Sequence, residues 1–210
     1  MRIAVFGATG LTGRLIVTRA LADGHEVTAF ARDPRKLDDL RGERLSAVAG
    51  ELSDVRGVGR AIAGADAVIS ALGPDSKARG IELSEGMRAI VAAMEGHGVK
   101  RLVVLSTASL KDPEDRFDLI YCLLVTAIRL VFRGAYGEIV RIGAVVRSSR
   151  TDWTLVRIGL LNDKAPAPVR TGRYGRGEVG LGVPRASLAR FMVELASSAK
   201  YVRESPAISK

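Results

Sequence analysis

The 210-residue sequence contains a single cysteine, Cys122, and only two histidines, His25 and His97. One cysteine cannot form an intramolecular disulfide. Neither histidine has a second metal-binding residue at a ligand spacing, so we predict no metal site. Cys122 lies in an apolar run between Tyr121 and Leu123, and we expect it to be a buried structural thiol.

Aromatic residues and acids are also scarce. Aromatics make up 5% of the chain, and they do not alternate with basic residues as a stacking surface for single-stranded nucleic acid requires. We therefore expect no nucleic-acid partner. The chain has 23 acidic residues against 32 basic ones, a net charge of +9. This excess favours anionic partners such as dinucleotide phosphates or an acidic membrane surface.

No uninterrupted apolar run reaches the roughly 20 residues that a membrane-spanning helix needs. The most apolar stretch, residues 117–132, is interrupted by Asp118 and Arg129, which favours a buried or surface-docked helix. The N-terminus reads MRIAVFG, a predicted strand and glycine loop without the apolar region and cleavage site of a secretion signal. We therefore expect a cytoplasmic protein.

Short β-branched runs alternate with helical patterns along the chain, which is typical of a parallel sheet with crossover helices. Strands are predicted at residues 3–6, 26–31, 45–49, 67–70, 102–106 and 154–158. Helices are predicted at residues 11–23, 55–63 and 81–97, from 116 onward, in a stretch ending near 150, and from 185 to 198. This pattern predicts one α/β domain over residues 1–210, with a doubly wound parallel sheet of six or more strands.

Residues 160–182 are interrupted by glycines and prolines, which predicts a loop or short hairpin rather than helix. We expect residues 160–210 to form a small substrate-side region of the same domain.

Residues 7–13 read GATGLTG and connect the first predicted strand to the first predicted helix. Glycines allow a tight turn and a close approach of backbone to phosphate, and free N–H groups at a helix start attract anions. The context fits a Rossmann-type dinucleotide-binding loop, although the same residues could form only a tight turn. The predicted cofactor contacts are Gly7, Thr9, Gly10, Leu11, Thr12 and Gly13.

The second predicted strand ends in Arg32, where an NAD-binding domain carries an acid that accepts from the ribose 2′-OH. A guanidinium at this position can bind a 2′-phosphate, and Arg35 and Lys36 add positive charge nearby. We therefore predict NADP(H), with Arg32 and Arg35 as cofactor contacts. Alternatively, Arg32 is a solvated surface residue, and Asp33 caps the turn at Pro34.

Several motifs together resemble a known family. They lie at residues 7–13, 32–34, 50–54, 65–73, 152–157 and 184–189. The sequence resembles the atypical short-chain dehydrogenases/reductases, and within them NAD(P)H-binding proteins of the NmrA-like and biliverdin reductase B (flavin reductase)-like type. The resemblance covers essentially the whole chain and is specific for fold and cofactor.

The resemblance implies further contacts with the cofactor. These are Glu51 and Leu52 beside the adenine, Ala71, Leu72 and Gly73 along the ribose, and Ser106 and Thr107 beside the nicotinamide. It also implies Thr107, Ser106 and Tyr136 as catalytic candidates. Alternatively, Ser106, Thr107 and Ser109 only satisfy backbone groups where the fifth strand ends.

Classical members of the superfamily place a lysine four residues after a catalytic tyrosine. Here Tyr136 is followed four residues later by Val140, and Ile139 and Gly143 stand where relatives often carry a basic residue and a glutamate. This argues against alcohol or ketone chemistry. A flavin, quinone or bilin can accept hydride from NADPH and take its protons from solvent. Tyr136 and Tyr121 are candidates for substrate contact.

Three functions fit these observations. The first is an NADPH-dependent oxidoreductase that acts on a small planar electron acceptor. The second is a non-catalytic NADP(H) sensor that signals to a partner protein, which the missing lysine favours. The third is a peripheral membrane protein that docks through residues 117–132 with Arg116, Arg129 and Arg133. Either a monomer or a homodimer is compatible with the sequence.

Overall fold

The computed structural model describes residues 1–73 and 83–210. In these residues, an eight-stranded sheet is accompanied by a separate two-stranded one. The strands are β1 (Arg2–Phe6), β2 (Glu26–Ala31), β3 (Leu45–Ala49), β4 (Ala67–Ser70), β5 (Arg101–Thr107), β6 (Asp152–Ile158), β7 (Leu160–Asn162), β8 (Arg170–Gly172), β9 (Gly182–Pro184) and β10 (Ala207–Ser209).

The helices follow the predicted pattern. They are α1 (Leu11–Ala22), α2 (Val55–Ile62), α3 (Leu83–His97), α4 (Leu119–Val131), α5 (Arg133–Ser148) and α6 (Arg185–Ala196), with a 3-10 helix at Pro34–Leu40. The predicted start of α3, at residues 81–82, lies outside the described residues. Helix α4 begins later than predicted, because the Asp118 carboxylate caps it by accepting from the Tyr121 N–H over 3.1 Å.

The main sheet has the strand order β3-β2-β1-β4-β5-β6-β10-β8. Strands β1 to β6 pair in parallel, β10 pairs in parallel with β6, and β8 is antiparallel to β10. The strand order reverses between β1 and β4, and doubly wound sheets bind ligands at such a switch point. The predicted Rossmann-type α/β fold is confirmed.

Helices cover both faces of the sheet. Ile3 and Val5 of β1 pack in a cluster with residues of α1 and α6, whereas Ala4 and Phe6 pack in a second cluster with residues of α2, α3 and α5. The central strands are buried on both sides, which explains their nearly continuous apolar sequences.

The region after β6 is not helical and consists mainly of loop, as predicted, but its short strands do not form a hairpin. Strand β7 pairs in parallel with β9, and β8 pairs antiparallel with β10, so residues 160–182 form no hairpin of their own. Short strands of this kind depend on distant partners, and β10 has only the three residues Ala207–Ser209. Their pairing therefore could not be predicted from local sequence.

The thiol of Cys122 is exposed, so the prediction of a buried cysteine is wrong. Helix α4 lies at the surface and has no fully buried residue. Its apolar composition suggested burial, whereas the fold leaves one side of the helix in solvent.

A buried arginine joins the segment after β5 to the C-terminal region. Arg157 of β6 is fully buried, and its Nε donates to the Ser205 carbonyl at 2.7 Å. Its Nη1 donates to the Leu110 carbonyl at 3.1 Å, and its Nη2 donates to Asp115 Oδ1 at 2.9 Å. The guanidinium carbon lies 5.0 Å from the ring centroid of Tyr174.

Burial alone would raise the pKa of Asp115. The hydrogen bond and charge of Arg157 act together with hydrogen bonds from the Asp112 and Tyr174 N–H groups, and these outweigh burial and hold that pKa below its ordinary value. The ionised carboxylate is therefore the form that stabilises the fold.

We predict that Asp115→Ala lowers the free energy of unfolding by about 3 kcal/mol, because it leaves the Arg157 charge buried without its partner. Urea unfolding followed by circular dichroism measures this loss. The difference from wild type should shrink as the pH falls below about 4, because the unfolded state then binds a proton that the native Asp115, with its lowered pKa, takes up only at still lower pH.

Asp163→Ala is the matched control, because it removes an exposed carboxylate that pairs with Arg185. We expect it to cost less than about 1 kcal/mol. Equal losses in the two variants would contradict a special role for the buried pair.

Candidate functional site

The predicted cofactor loops emerge at one edge of the sheet. The register pairs Phe6 of β1 with Phe30 of β2 and with Ser70 of β4. Because these strands are parallel, the loops that begin at Gly7 and Ala71 leave the sheet side by side. Arg32 lies at the same edge, directly after the last residue of β2.

Gly7 and Gly13 are required by close backbone packing. Gly7 has a φ of +74°, and a Cβ there would lie 2.9 Å from the Ala71 carbonyl carbon. A Cβ on Gly13 would lie 2.0 Å from the Gly7 carbonyl oxygen. Gly10 differs, since its Cβ would meet only the Gly7 oxygen, at 3.4 Å. The absence of a side chain on the exposed Gly10 therefore leaves room for a ligand at the surface. Gly7 and Gly13 instead allow α1 to pack closely against the end of β1.

The N-terminus of α1 has free donors. The first backbone hydrogen bond of the helix runs from the Arg14 N–H to the Gly10 carbonyl at 2.8 Å, and no side chain caps the helix. The N–H groups of Leu11, Thr12 and Gly13 therefore have no acceptor within the helix. Free N–H groups and space above Gly10 fit a bound pyrophosphate.

Arg32 is exposed and forms no hydrogen bond or ion pair with any residue in the described ranges 1–73 and 83–210. Arg35 instead donates from Nε to Asp33 Oδ1 at 2.8 Å. This hydrogen bond holds the pKa of Asp33 below its ordinary value, and Asp33 also caps the 3-10 helix, as predicted. The guanidinium of Arg32 is thus available for a phosphate, whereas that of Arg35 is engaged by Asp33.

Arg14 has a structural role that the sequence analysis did not predict. Its Nη1 donates to the Lys36 carbonyl at 2.6 Å, and its Nη2 bonds Asp39. These contacts attach the segment after Arg32 to α1, so Arg14 fixes the position of that segment relative to the glycine loop.

The predicted adenine and ribose residues differ in exposure. Glu51 is exposed after β3, whereas Leu52 packs on α3, where a Cβ on Gly86 would lie 2.7 Å from Leu52 Cδ1. The backbone of Ala71 and Leu72 borders Gly7. Gly73 is exposed and precedes residues 74–82, which lie outside the described ranges.

Ser106 and Thr107 end β5 further along the same edge. Ser70 pairs with Val104, so Thr107 extends three residues, or about 10 Å, past the end of β4. Thr107 Oγ1 accepts from the Ser109 N–H at 3.2 Å and so closes the turn, but its own proton remains available for donation. Ser106 is buried.

Two tyrosines lie on the helices after this turn. Tyr136 is half-buried in the first turn of α5, and the Arg129 guanidinium lies 5.8 Å from its ring centroid. Tyr121 donates from its hydroxyl to the Gly180 carbonyl at 2.6 Å. Burial, together with the Asp118 charge, raises the pKa of Tyr121 to about 12, so its phenol keeps its proton at neutral pH.

Gly143 of helix α5 cannot accept a larger residue unless its neighbour moves, whereas the surface position Val140 has no such restriction. Val140 is exposed, and a Cβ on Gly143 would lie only 2.4 Å from Leu110 Cδ1. A glutamate at Gly143 would therefore displace Leu110. The nearby Glu138 accepts from the Ser84 N–H at 2.9 Å and bonds Arg141, so it serves the packing of α5 on α3.

A cavity of about 580 Å³ lies away from these residues. Its walls come from the 166–171 segment, α6 and Tyr201, and include none of the predicted site residues. Among the described residues, no cluster of histidine, cysteine or carboxylate side chains could hold a metal ion.

Known proteins share this fold and part of the sequence. The anaerobilin reductase ChuY of Escherichia coli O157:H7 superposes with a TM-score of 0.82 at 22% identity, covering 100% of this chain and 97% of that one. A short-chain dehydrogenase/reductase of Veillonella parvula, solved in complex with NADP, superposes with a TM-score of 0.78 at 18% identity, covering 100% and 94%.

Curated relatives match about half of the chain's length. The photosystem II assembly factor Ycf39 of Guillardia theta is 36% identical over 110 residues, which are 50% of this chain and 35% of that protein. The chain thus spans about a third of the length of this curated relative. A family model described as NAD(P)H-binding matches residues 7–199, and the chain therefore belongs to this NAD(P)H-binding family.

Proposed function

We propose that the protein is an NADPH-dependent reductase that delivers hydride to a planar acceptor such as a flavin, quinone or bilin. The observation that carries the cofactor preference is the guanidinium of Arg32 after β2, which no residue in the described part of the chain engages and where a carboxylate would select NAD. Family membership supports the binding of the dinucleotide itself.

The residues at the sheet edge fit the parts of NADPH in order. The N–H groups of Leu11, Thr12 and Gly13 would hold the pyrophosphate, and Arg32 would hold the 2′-phosphate. Glu51, just after β3, would contact the adenine, and Ala71 to Gly73, just after β4, would contact the ribose. Thr107, about 10 Å beyond the end of β4, can donate its hydroxyl proton to the nicotinamide carboxamide.

The proposed class of acceptor is based on the residues of α5. Bound NADPH supplies a hydride to the acceptor. The residue four positions after Tyr136 is Val140, so no ammonium group assists a tyrosine in transferring a proton. An acceptor whose protons come from solvent fits this arrangement better than an alcohol or a ketone.

The neighbours in fold agree with this proposal. ChuY is named as a reductase of anaerobilin, and the Veillonella protein was solved with NADP. A non-catalytic NADP(H) sensor is the second candidate, and it is favoured by the same absence of a lysine after Tyr136.

We predict that Arg32→Ala weakens NADPH binding by about 1.5 to 3 kcal/mol, the value of a hydrogen bond to a charged group, and leaves NADH binding nearly unchanged. Calorimetric titration with both cofactors measures this difference. Arg41→Ala removes a comparably exposed guanidinium that pairs with Asp38, and it should affect neither cofactor. Equal losses of NADPH and NADH in the Arg32 variant would rule out the 2′-phosphate contact.

We predict that Gly10→Ala weakens the binding of NADPH and NADH alike by at least about tenfold, because the added methyl group fills the space for the pyrophosphate. The unfolding transition should stay near that of wild type, since the Cβ meets only the Gly7 oxygen at 3.4 Å. Gly13→Ala is the contrasting variant and should destabilise the fold itself. If a folded Gly10 variant kept the wild-type affinity for NADPH and NADH, the loop would be only a tight turn without a role in cofactor binding.

We predict that purified protein oxidises NADPH when FMN, riboflavin or a quinone is added, followed by absorbance at the nicotinamide band. Thr107→Val should slow this oxidation by about tenfold or more, whereas Thr107→Ser, which keeps the hydroxyl, should retain most of it. Tight NADPH binding without oxidation by any of these acceptors would favour the sensor.

A further inference from the structure

Helix α4 leaves a continuous apolar face in solvent. Leu119, Ile120, Leu123, Leu130 and Val131 are each between 61% and 69% exposed. At 3.6 residues per turn they fall within an arc of about 120° on one side of the helix. Scattered exposed leucines are ordinary, but a contiguous patch on one helix face marks an interaction surface. These five residues are called the α4 face below.

The aromatic residues at either end extend the α4 face. Phe117 precedes the helix and is 80% exposed, and Phe132 follows it and is 56% exposed. The opposite side of α4 is already in contact with the protein, where Tyr121 and Val125 pack beside Ala108 and Tyr174. The orientation of the helix is therefore set by the fold, and its exposed side is the one that lacks a partner.

Residues 116–137, which include the α4 face, carry three positive charges and one negative charge, that of the capping Asp118. Residues 119–137 contain Arg129 and Arg133 but no acidic residue, and Arg116 precedes Phe117. All three arginines are exposed, and none forms an ion pair within the part of the chain that the structure describes. The carboxylate of Asp118 is occupied at the N-terminus of α4. An apolar face bordered by unpaired cations is complementary to an anionic lipid surface.

The same charges disfavour a second copy of the chain as the partner. A two-fold interface would bring the α4 faces of two molecules together, along with their arginines, and this segment offers no carboxylate to pair with them. Each molecule also carries a net charge of +9.

The helix is suited to lie on a bilayer. No single helix of the described residues is long and apolar enough to cross a membrane, and α4 and α5 reach that length only together, with a bend of 113° between them. The 13 residues of α4 span about 20 Å, less than the roughly 30 Å of a bilayer core. Helix α5 is held in the protein by the buried Ile142, Gly143 and Val146.

We propose that the α4 face docks the protein on anionic membrane surfaces, with its leucines entering the headgroup–acyl boundary and Arg116, Arg129 and Arg133 contacting lipid phosphates. This docking is independent of the proposed reductase activity. Because Tyr121 of α4 packs in one cluster with Ala108, which directly follows β5, docking would also bring the carboxyl edge of the sheet close to the lipid.

The experiment is flotation of the full chain with vesicles of phosphatidylcholine, alone or mixed with phosphatidylglycerol. We expect at least about tenfold stronger partitioning onto the mixed vesicles, and weaker partitioning when the salt is raised from about 0.1 M to about 0.5 M. Binding to both vesicle types alike, or to neither, would overturn the proposal.

Paired variants separate docking from general attraction of a basic protein. Leu123→Gln with Leu130→Gln should lower partitioning by at least about tenfold, because two apolar side chains no longer enter the lipid. Arg129→Gln with Arg133→Gln should lower it by a similar factor. Val55→Gln, at a valine 65% exposed on α2, is the matched apolar control and should leave partitioning unchanged.

Because the substituted side chains are exposed, we expect each variant to match wild type in its circular dichroism and thermal unfolding. Only variants that do so are compared. Undiminished vesicle binding by the leucine variant would overturn the role of the α4 face. Sedimentation velocity tests the competing occupant. A dimer that the leucine substitutions dissociate, without vesicle binding by wild type, would assign the face to self-association instead.

Discussion

The candidate site depends on the close approach of two backbone segments where β1 turns into α1. A side chain on Gly13 would collide with the Gly7 carbonyl, and one on Gly7 would collide with the backbone of Ala71. These contacts hold the end of β1, the start of α1 and the end of β4 in one place. The uncapped N–H groups of the helix therefore point to the switch point of the sheet, which is where a doubly wound fold binds its ligand.

A buried charge organises the other end of the site. Arg157 bonds the carbonyls of Leu110 and Ser205 and the carboxylate of Asp115, so it joins the segment after Thr107 to the C-terminal region. Burying a guanidinium is favourable only when its donors are satisfied, and this condition fixes the loop that carries the proposed nicotinamide contact.

The site combines rigid and open parts. The glycine contacts and the Arg157 network leave little freedom, whereas Gly10, Arg32 and Glu51 are exposed and make few contacts of their own. Such a division suits a protein that must admit a large anionic cofactor without rearranging its core. The apolar face of α4 is a second place where burial within the fold is incomplete, and residues 119–137, which include Arg129 and Arg133, contain no acidic residue.

The sequence by itself determined the features that depend on neighbouring residues. Alternating apolar runs and helical patterns placed β1 to β6 and most helices, the strand–glycine–helix order of residues 7–13 identified the loop, and Arg32 at a strand end indicated the phosphate. Only the tertiary structure decided the rest. It exposed Cys122, turned Leu52 onto α3, engaged Arg35 with Asp33, and paired β10 with β6 and β8. The burial of a residue and the identity of its bonding partner depend on contacts between segments far apart in the chain. Local periodicity does not show which surface a helix will cover, so these features could not be predicted from it.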